Sequence, residues 1–123
     1  MQGQRTRREV LRLPERPRPA VNVVLWEERR RPDEATLRAR LVAEGYEAVR
    51  WRSEPDQAYV PHAHIYPERM WVVSGSLTVV LPEGKRLLEL EAGDRIDLPA
   101  GMVHAVLAGA DGATFLIGTH TEG

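Results

Sequence analysis

The chain contains no cysteine, which excludes disulfide bonds, cysteine-ligated zinc and thiol catalysis. Lysine is almost absent too, since Lys85 is the only one, and arginine supplies nearly all the positive charge. The formal net charge of -1 gives no global argument for a nucleic-acid partner. No apolar run reaches the roughly 18 residues of a membrane span, and the basic N-terminus lacks the apolar core of a signal peptide. We therefore expect a cytoplasmic protein with no nucleic-acid or membrane partner.

The length of 123 residues fits one domain with a single hydrophobic core. Residues 1–20 are rich in arginine and proline and predict an N-terminal arm, because Pro14, Pro17 and Pro19 exclude a helix beyond residue 14. The alternative role for this arm is to bind an anionic partner. Residues 21–123 predict the folded domain.

Residues 21–52 predict a strand, a short helix and a second strand. The first strand is apolar and β-branched over residues 21–26. Asp33 is a candidate N-cap for the helix, and Gly45 is a candidate stop signal. The helix has apolar residues near a 3.6-residue spacing at Ala35, Leu37, Leu41 and Val42. Residues 46–51 then alternate as a strand that leads into the rest of the domain.

The remainder of the chain has an all-β pattern. Short apolar segments alternate with Pro, Gly, Asp or Ala turns at close intervals. The segments are AYVPHAH, ERMWVVSG, SLTVVL, KRLLEL, DRIDLP, MVHAVLA and ATFLIGTH. With the N-terminal elements they predict a barrel that carries one short helix.

Two histidines stand two residues apart in the first of these segments. His62 and His64 project from one face if the segment is extended, so their imidazoles lie side by side. Pro67 cannot donate to a strand ladder, which predicts a corner there. Glu68 then opens the adjacent strand opposite the histidine pair.

A third histidine, His104, follows the predicted turn at residues 99–101. Three imidazoles and one carboxylate are suitable ligands for a divalent transition metal such as Fe, Mn, Ni, Co, Cu or Zn. Four protein ligands leave one or two coordination positions for water or substrate. The alternative is an empty, vestigial site. The other histidine, His120, matches no ligand position and is expected to be exposed.

Two spacings resemble the signature motifs of the cupin superfamily. The first is His-x-His, three residues, Glu, six residues, Gly, and the second is Gly, five residues, Pro-x-Gly, two residues, His. They cover about the C-terminal half of the chain at His62, His64, Glu68, Gly75, Gly93, Pro99, Gly101 and His104. The chain departs from the usual pattern at Asp56, where the family has Gly, and at Ala108, where it has Asn. The resemblance implies a double-stranded β-helix, or jelly-roll, barrel.

Strand alternation sorts the two faces of the barrel. The ligand face also carries Val60, Met70, Val72, Met102 and Val106, which predicts the lining of a pocket. The opposite face carries Tyr59, Arg69, Trp71, Val73, Val103, Ala105 and Leu107. Because that face is too apolar to be left bare, we expect the N-terminal strand and helix or a second subunit to cover it. A two-fold homodimer is the favoured assembly.

The ligand face offers little chemistry beyond the metal. It contains no lysine and no carboxylate other than Glu68, which disfavours sugar-phosphate isomerase and epimerase activities. Tyr66 and Arg50 are the other polar side chains considered for the mouth of the predicted pocket, and we expect both to have structural roles. We hypothesise dioxygenase-like or Lewis-acid chemistry on an unidentified small organic molecule. The alternative is a non-catalytic ligand-binding or sensor protein whose metal is an anchor or a structural clamp.

Overall fold

The computed structural model describes residues 20–120, apart from the Val60 side chain. The predicted N-terminal arm therefore lies outside the described residues except for Ala20. Within the described part, seven strands and one helix follow in chain order: β1 Asn22–Val24, α1 Glu34–Ala43, β2 Tyr46–Ser53, β3 Ala58–His62, β4 Glu68–Leu81, β5 Arg86–Glu91, β6 Arg95–Leu98 and β7 His104–His120.

Every strand pairing is antiparallel. The main order is β1-β6-β4-β7-β2, with β3 added on β7 and β5 added on β4. The long strands β4 and β7 form the spine against which the others pair. This arrangement confirms an all-β, jelly-roll barrel with one short helix. No helix of residues 20–120 is long and apolar enough to cross a membrane.

The sequence pattern divided each long strand into two, and this prediction was wrong. β4 runs without a break through Gly75, and β7 runs through Gly112. Both glycines have positive φ, 78° and 75° respectively. A Cβ on Gly75 would lie 2.1 Å from the Gly112 carbonyl oxygen. The register of β4 against β7 shifts on both sides of this contact, so the glycines mark bulges in continuous strands instead of turns between strands.

The helix α1 packs on the face of the barrel opposite the histidines. The Asp33 side chain accepts a hydrogen bond from the Thr36 N–H at 2.9 Å, which confirms the predicted N-cap. Leu37 and Leu41 are fully buried in a cluster with Trp71 and Leu116. Trp71 is therefore covered within the chain, by the first of the two covers that the sequence allowed.

The two departures from the family pattern are accommodated locally. Asp56 adopts a φ of 59°, the left-handed conformation that glycine favours and that aspartate tolerates better than most residues. Its N–H donates to the Gly109 carbonyl at 3.0 Å, which ties the turn before β3 to β7. Ala108 is 1% exposed in the main hydrophobic core, where an asparagine amide would require buried hydrogen-bond partners.

Candidate metal centre

The three histidines of the two motifs meet where β3 ends and β7 begins. His62 lies opposite His104 in the antiparallel register of these strands. His64 follows two residues later, and its carbonyl accepts a hydrogen bond from the Gly101 N–H at 2.7 Å. This bond joins the His-x-His segment to the turn that precedes His104. The backbone thus brings together two motifs that are some forty residues apart.

The imidazoles form a compact cluster. One ring nitrogen from each of His62, His64 and His104 lies within 4.8 Å of the other two. The ring centroids of His62 and His104 are 4.5 Å apart, and those of His62 and His64 are 4.8 Å apart. Exposure to solvent increases across the cluster, since His104 is buried, His64 is half-buried and His62 is exposed. The cluster therefore has a protein side and an open side.

Glu68 brings a carboxylate to the same cluster. It is the first residue of β4 and pairs with Leu98 of β6, beyond the corner at Pro67. Its Oε2 lies 3.0 Å from His64 Nε2, and its Oε1 lies 3.7 Å from His104 Nε2. The side chain is 7% exposed. The structure thus places all four candidate ligands together.

The hydrogen bonding of His104 determines which of its nitrogens faces the cluster. Its Nδ1 lies 3.0 Å from the Met102 carbonyl oxygen, which can only accept, so Nδ1 carries the proton. Burial, aided by the neighbouring imidazoles of His62 and His64, lowers the pKa of His104 below its ordinary value of 6.5. The neutral ring then directs the Nε2 lone pair toward the cluster.

That lone pair and the Glu68 carboxylate face each other in a buried setting. Two acceptors at 3.7 Å repel each other, and a positive group near both of them removes this repulsion. A divalent metal supplies that charge, and neutral imidazole nitrogens with a carboxylate are the donors such a metal prefers. The Met102 carbonyl holds the His104 ring in the manner of an outer-shell partner of a metal-bound histidine. The residues present therefore fit a metal ion.

The cluster lies in a cavity of about 340 Å³ that is open on one side. This volume is in the range of small-molecule sites. The walls come from β2, β3, β4 and β7 and are mainly apolar. The lining residues are Val49, Trp51, Tyr59, His62, His64, Tyr66, Glu68, Met70, His104, Val106, Phe115, Ile117 and Thr119.

The residues expected to line the pocket fall into three groups. Met70 and Val106 line the cavity. Val72 is fully buried in the main core, and Met102 packs against that core instead of facing the cavity. The Val60 side chain lies outside the described residues.

Tyr59 lines the cavity, although alternation placed it on the opposite face. It pairs with Val106, whereas His62 pairs with His104, so three steps along β3 match two steps along β7. This extra residue is a β-bulge, and it puts Tyr59 on the same face as His62. Strict alternation from the histidines therefore fails on the far side of the bulge.

Sequence reasoning missed the wall that β2 contributes. Trp51 lies opposite Phe115, and Val49 lies opposite Ile117, in the register of β2 with β7. All four residues line the cavity, as does Thr119 at the end of β7. Their alternation was visible in the sequence, but the pairing of β2 with the last strand was not. That pairing decides which face of β2 meets the histidines.

The other polar residues considered from the sequence have separate places. Tyr66 lines the cavity and stacks on His64, with 5.2 Å between ring centroids and 19° between planes. Arg50 is exposed and pairs with Glu34 of α1 at 3.0 Å, away from the mouth. His120 is exposed, as expected, and its ring lies against Tyr46 outside the cluster.

Comparison with known proteins shows similarity in structure. No protein-family model and no curated protein matches the chain. A polyketide cyclase, RemF from Streptomyces resistomycificus, is similar with a TM-score of 0.58 and 27% identity over 63% of this chain. A variant of oxalate decarboxylase from Bacillus subtilis has a TM-score of 0.56 and 27% identity over 64% of this chain. A cupin-2 domain protein from Shewanella frigidimarina has a TM-score of 0.53 and 23% identity over 60% of this chain.

The chain corresponds to only part of two of these neighbours. The similarity covers 55% of the polyketide cyclase and 22% of the oxalate decarboxylase. It covers 69% of the cupin-2 domain protein.

Proposed function

Because the chain belongs by its fold to the cupin superfamily, we propose that it binds one divalent transition metal and acts on a small organic molecule. His62, His64, His104 and Glu68 hold the metal, and the cavity above them receives the substrate. The observation that carries this proposal is the buried approach of the His104 Nε2 lone pair to the Glu68 carboxylate, which a cation between them would stabilise.

The bound metal would supply Lewis acidity toward an oxygen atom of the substrate or, for a redox-active metal, oxygenase-like chemistry. The chain itself does the rest. The apolar walls exclude water and orient the substrate, and Met102 fixes the His104 ring through its carbonyl. Among the described residues, Glu68 is the only carboxylate of the lining, so a proton-transfer step would use it, an imidazole or a tyrosine hydroxyl. Two structural neighbours named polyketide cyclase and oxalate decarboxylase support an oxygen-bearing organic substrate.

A second candidate function is ligand binding without turnover. It is favoured by the scarcity of acid and base groups in the described lining, where Glu68, the imidazoles and the Tyr66 hydroxyl are the titratable groups near the metal position. In that case the metal anchors the ligand. Both candidates require an open coordination position, whereas a purely structural metal does not.

The first experiment measures metal uptake. Protein stripped with chelator and then dialysed against Zn²⁺, Mn²⁺ or Fe²⁺ should retain one metal per chain by elemental analysis. The double replacement His62→Ala with His64→Ala should abolish uptake, because two of the ligands are lost. His120→Ala is the matched control and should bind normally. No stoichiometric uptake by the wild type, or equal loss in the control, would contradict the proposal.

The second experiment tests for an open coordination position. Cobalt-loaded protein has visible bands that respond to ligand exchange, so added azide should shift them if solvent or substrate can reach the metal. An unchanged spectrum would indicate a closed, structural metal and would contradict both candidate functions. If the position is open, an assay for substrate turnover then distinguishes an enzyme from a ligand-binding protein.

A further inference from the structure

One wall of the cavity is a pair of aromatic rings held in fixed positions. Trp51 of β2 and Tyr59 of β3 meet edge to face, with ring centroids 6.5 Å apart and planes at 89°. The Tyr59 hydroxyl is hydrogen-bonded to Ser53 at 3.0 Å, and Ser53 is fully buried. The tyrosine is therefore anchored at its far end. Its ring and the Trp51 ring form a rigid surface beside the histidines.

Of the three tryptophans, Trp51 has the fewest hydrogen-bond partners for its indole N–H within residues 20–120. Trp26 and Trp71 donate their indole N–H groups to the carbonyls of Arg30 and Gly93, respectively. The Trp51 indole N–H has no such partner within residues 20–120. Its side chain is 44% exposed although it lies in a cavity wall and directly opposite the buried Phe115. A large apolar surface left open within a cavity is the kind of surface that a ligand covers.

Aromatic surface also adjoins the histidine cluster itself. Tyr66 stacks nearly parallel on His64, and Phe115 lies in the buried part of the lining. Aromatic rings therefore line the cavity on β2, β3, β7 and the segment between β3 and β4. Planar rings favour planar partners, because offset stacking and edge-to-face contacts both require a ring on each side.

The charges of the lining restrict the ligand further. Among residues 20–120, the lining contains no lysine and no arginine, and its one carboxylate belongs to the candidate metal site. A phosphate or a second carboxylate on the ligand would therefore have no partner away from the metal. A sugar would leave most of its hydroxyl groups facing apolar walls. Oxygen atoms that reach the metal are the polar groups that this cavity can accommodate.

We propose that the cavity binds a planar aromatic molecule that carries two neighbouring oxygen atoms. The oxygen pair chelates the metal, and the ring lies against Trp51 and Tyr59. This inference rests on the proposed metal binding by His62, His64, His104 and Glu68, and it adds the substrate class. Trp51 is the specificity-determining residue. Of the aromatic side chains in the wall that do not adjoin a candidate metal-binding residue, it is the most exposed.

The test compares two chelating probes on zinc-loaded protein, because zinc has no redox chemistry with them. Catechol is a planar aromatic oxygen chelator, and acetohydroxamate chelates through two oxygens without an aromatic ring. Calorimetry should show that Trp51→Leu raises the Kd of catechol about tenfold, which corresponds to the loss of one aromatic contact and its buried area. The Kd of acetohydroxamate should be unchanged. Trp51→Phe should restore most of the catechol affinity.

The control variant is Leu107→Ala, at a residue that is 41% exposed on another face and outside the lining. It should leave both affinities unchanged. Stoichiometric zinc uptake establishes that each variant is folded. A measurement on the wild type does not depend on any variant: the catechol ring protons should show nuclear Overhauser effects to the Trp51 indole.

The outcomes separate this inference from the proposed function. If the wild type takes up no zinc, both are overturned. If zinc binds but catechol does not, or if Trp51→Leu changes the two Kd values equally or leaves both unchanged, only the aromatic substrate class is overturned. Absence of a nuclear Overhauser effect between catechol and the Trp51 indole would likewise overturn only the aromatic substrate class.

Discussion

At the scale of single residues, His104 is the ligand whose protonation is most strongly controlled. Its Nδ1 proton is fixed by the Met102 carbonyl, and burial lowers its pKa below 6.5. A lowered pKa keeps the ring neutral to more acidic pH than an exposed histidine. The lone pair on Nε2 is therefore available to a metal throughout the neutral range.

Acid should release the metal and also weaken the fold. Protons compete for the imidazole lone pairs, so metal occupancy should fall as the pH drops below about 6. In the metal-free protein, the unfolded chain binds a proton at His104 more readily than the folded chain does. The contribution of His104 to the free energy of unfolding should thus be fully present above pH 6.5 and decrease as the pH falls toward the lowered pKa of His104. Dialysis at stepped pH with elemental analysis measures the first effect, and urea melts of metal-free protein measure the second.

The opposite results would contradict these assignments. Full occupancy at pH about 4 would mean that imidazoles do not hold the metal. A His104→Gln variant should lose the pH dependence of stability in this window, and an unchanged profile would show that another group causes it.

The individual ligands could be predicted from the sequence, whereas part of the lining could not. His62 and His64 share a face by spacing alone, and the turn before His104 was recognisable by its proline and glycine. Tyr59 was assigned to the wrong face because a single extra residue between it and His62 reverses alternation. The bulge contains Pro61, which cannot donate to a strand ladder, so this proline was the signal in the sequence that could have marked it.

At the scale of elements, the two long strands approach each other closely at Gly75 and Gly112. Both residues are in the left-handed region, and the Gly75 position leaves no space for a Cβ beside the Gly112 carbonyl. β4 and β7 shift register there and continue. The bulges let one pair of strands serve two parts of the barrel.

Gly75→Ala should therefore destabilise the barrel much more than Gly101→Ala. Gly101 has a similar φ of 80°, but a Cβ there would meet nothing within 4 Å. The control carries only the backbone cost, about 1–2 kcal/mol, whereas Gly75→Ala adds overpacking against rigid backbone, about 1–3 kcal/mol more. Urea denaturation compares the two free energies of unfolding. Equal losses would mean that the contact between β4 and β7 relaxes without cost.

Local signals predicted some elements well and others poorly. The helix was recognisable because Asp33 caps it and Gly45, with a φ of 90°, follows it. The division of β4 and β7 into shorter strands was wrong because a glycine inside a strand has the same appearance in sequence as a glycine in a turn. Only the partner strand distinguishes the two cases.

At the scale of the whole molecule, α1 covers the face of the sheet opposite the histidine cluster. Trp71 is 6% exposed beneath Leu37 and Leu41, and its indole N–H donates to the Gly93 carbonyl at 2.8 Å. The same strand carries Glu68 and Met70 toward the cavity on its other face. Packing of the helix and support of the metal site are therefore coupled through β4.

Trp71→Ala should lower the free energy of unfolding by about 3–5 kcal/mol, because it removes a large buried side chain and leaves a cavity under the helix. Leu87→Ala is the control, since Leu87 is 69% exposed on β5 and should change stability by less than about 0.5 kcal/mol. Urea melts provide the comparison. A small loss at Trp71 would indicate that α1 does not depend on this contact.

The homodimer expected from the sequence stays a prediction, and the structure changes how it should be tested. With Trp71 covered by α1, the apolar residues of that face that retain exposure are Leu107, which is 41% exposed, and the half-buried Val73, Val103 and Ala105. A charge at Trp71 would damage the fold itself, whereas Leu107→Glu lies on the surface and should dissociate a dimer without unfolding the chain.

Sedimentation equilibrium at micromolar concentration should therefore show a dimer for the full chain and a monomer for Leu107→Glu, with zinc uptake unchanged in both. Deletion of residues 1–19 should weaken the dimer and leave the metal site intact, since the site and the core around it are built from residues 20–120. A monomeric full chain would show that the cover provided by α1 is sufficient. The homodimer and the participation of the arm would then both be wrong, because a face already closed within the chain gives a second subunit too little apolar area to bury.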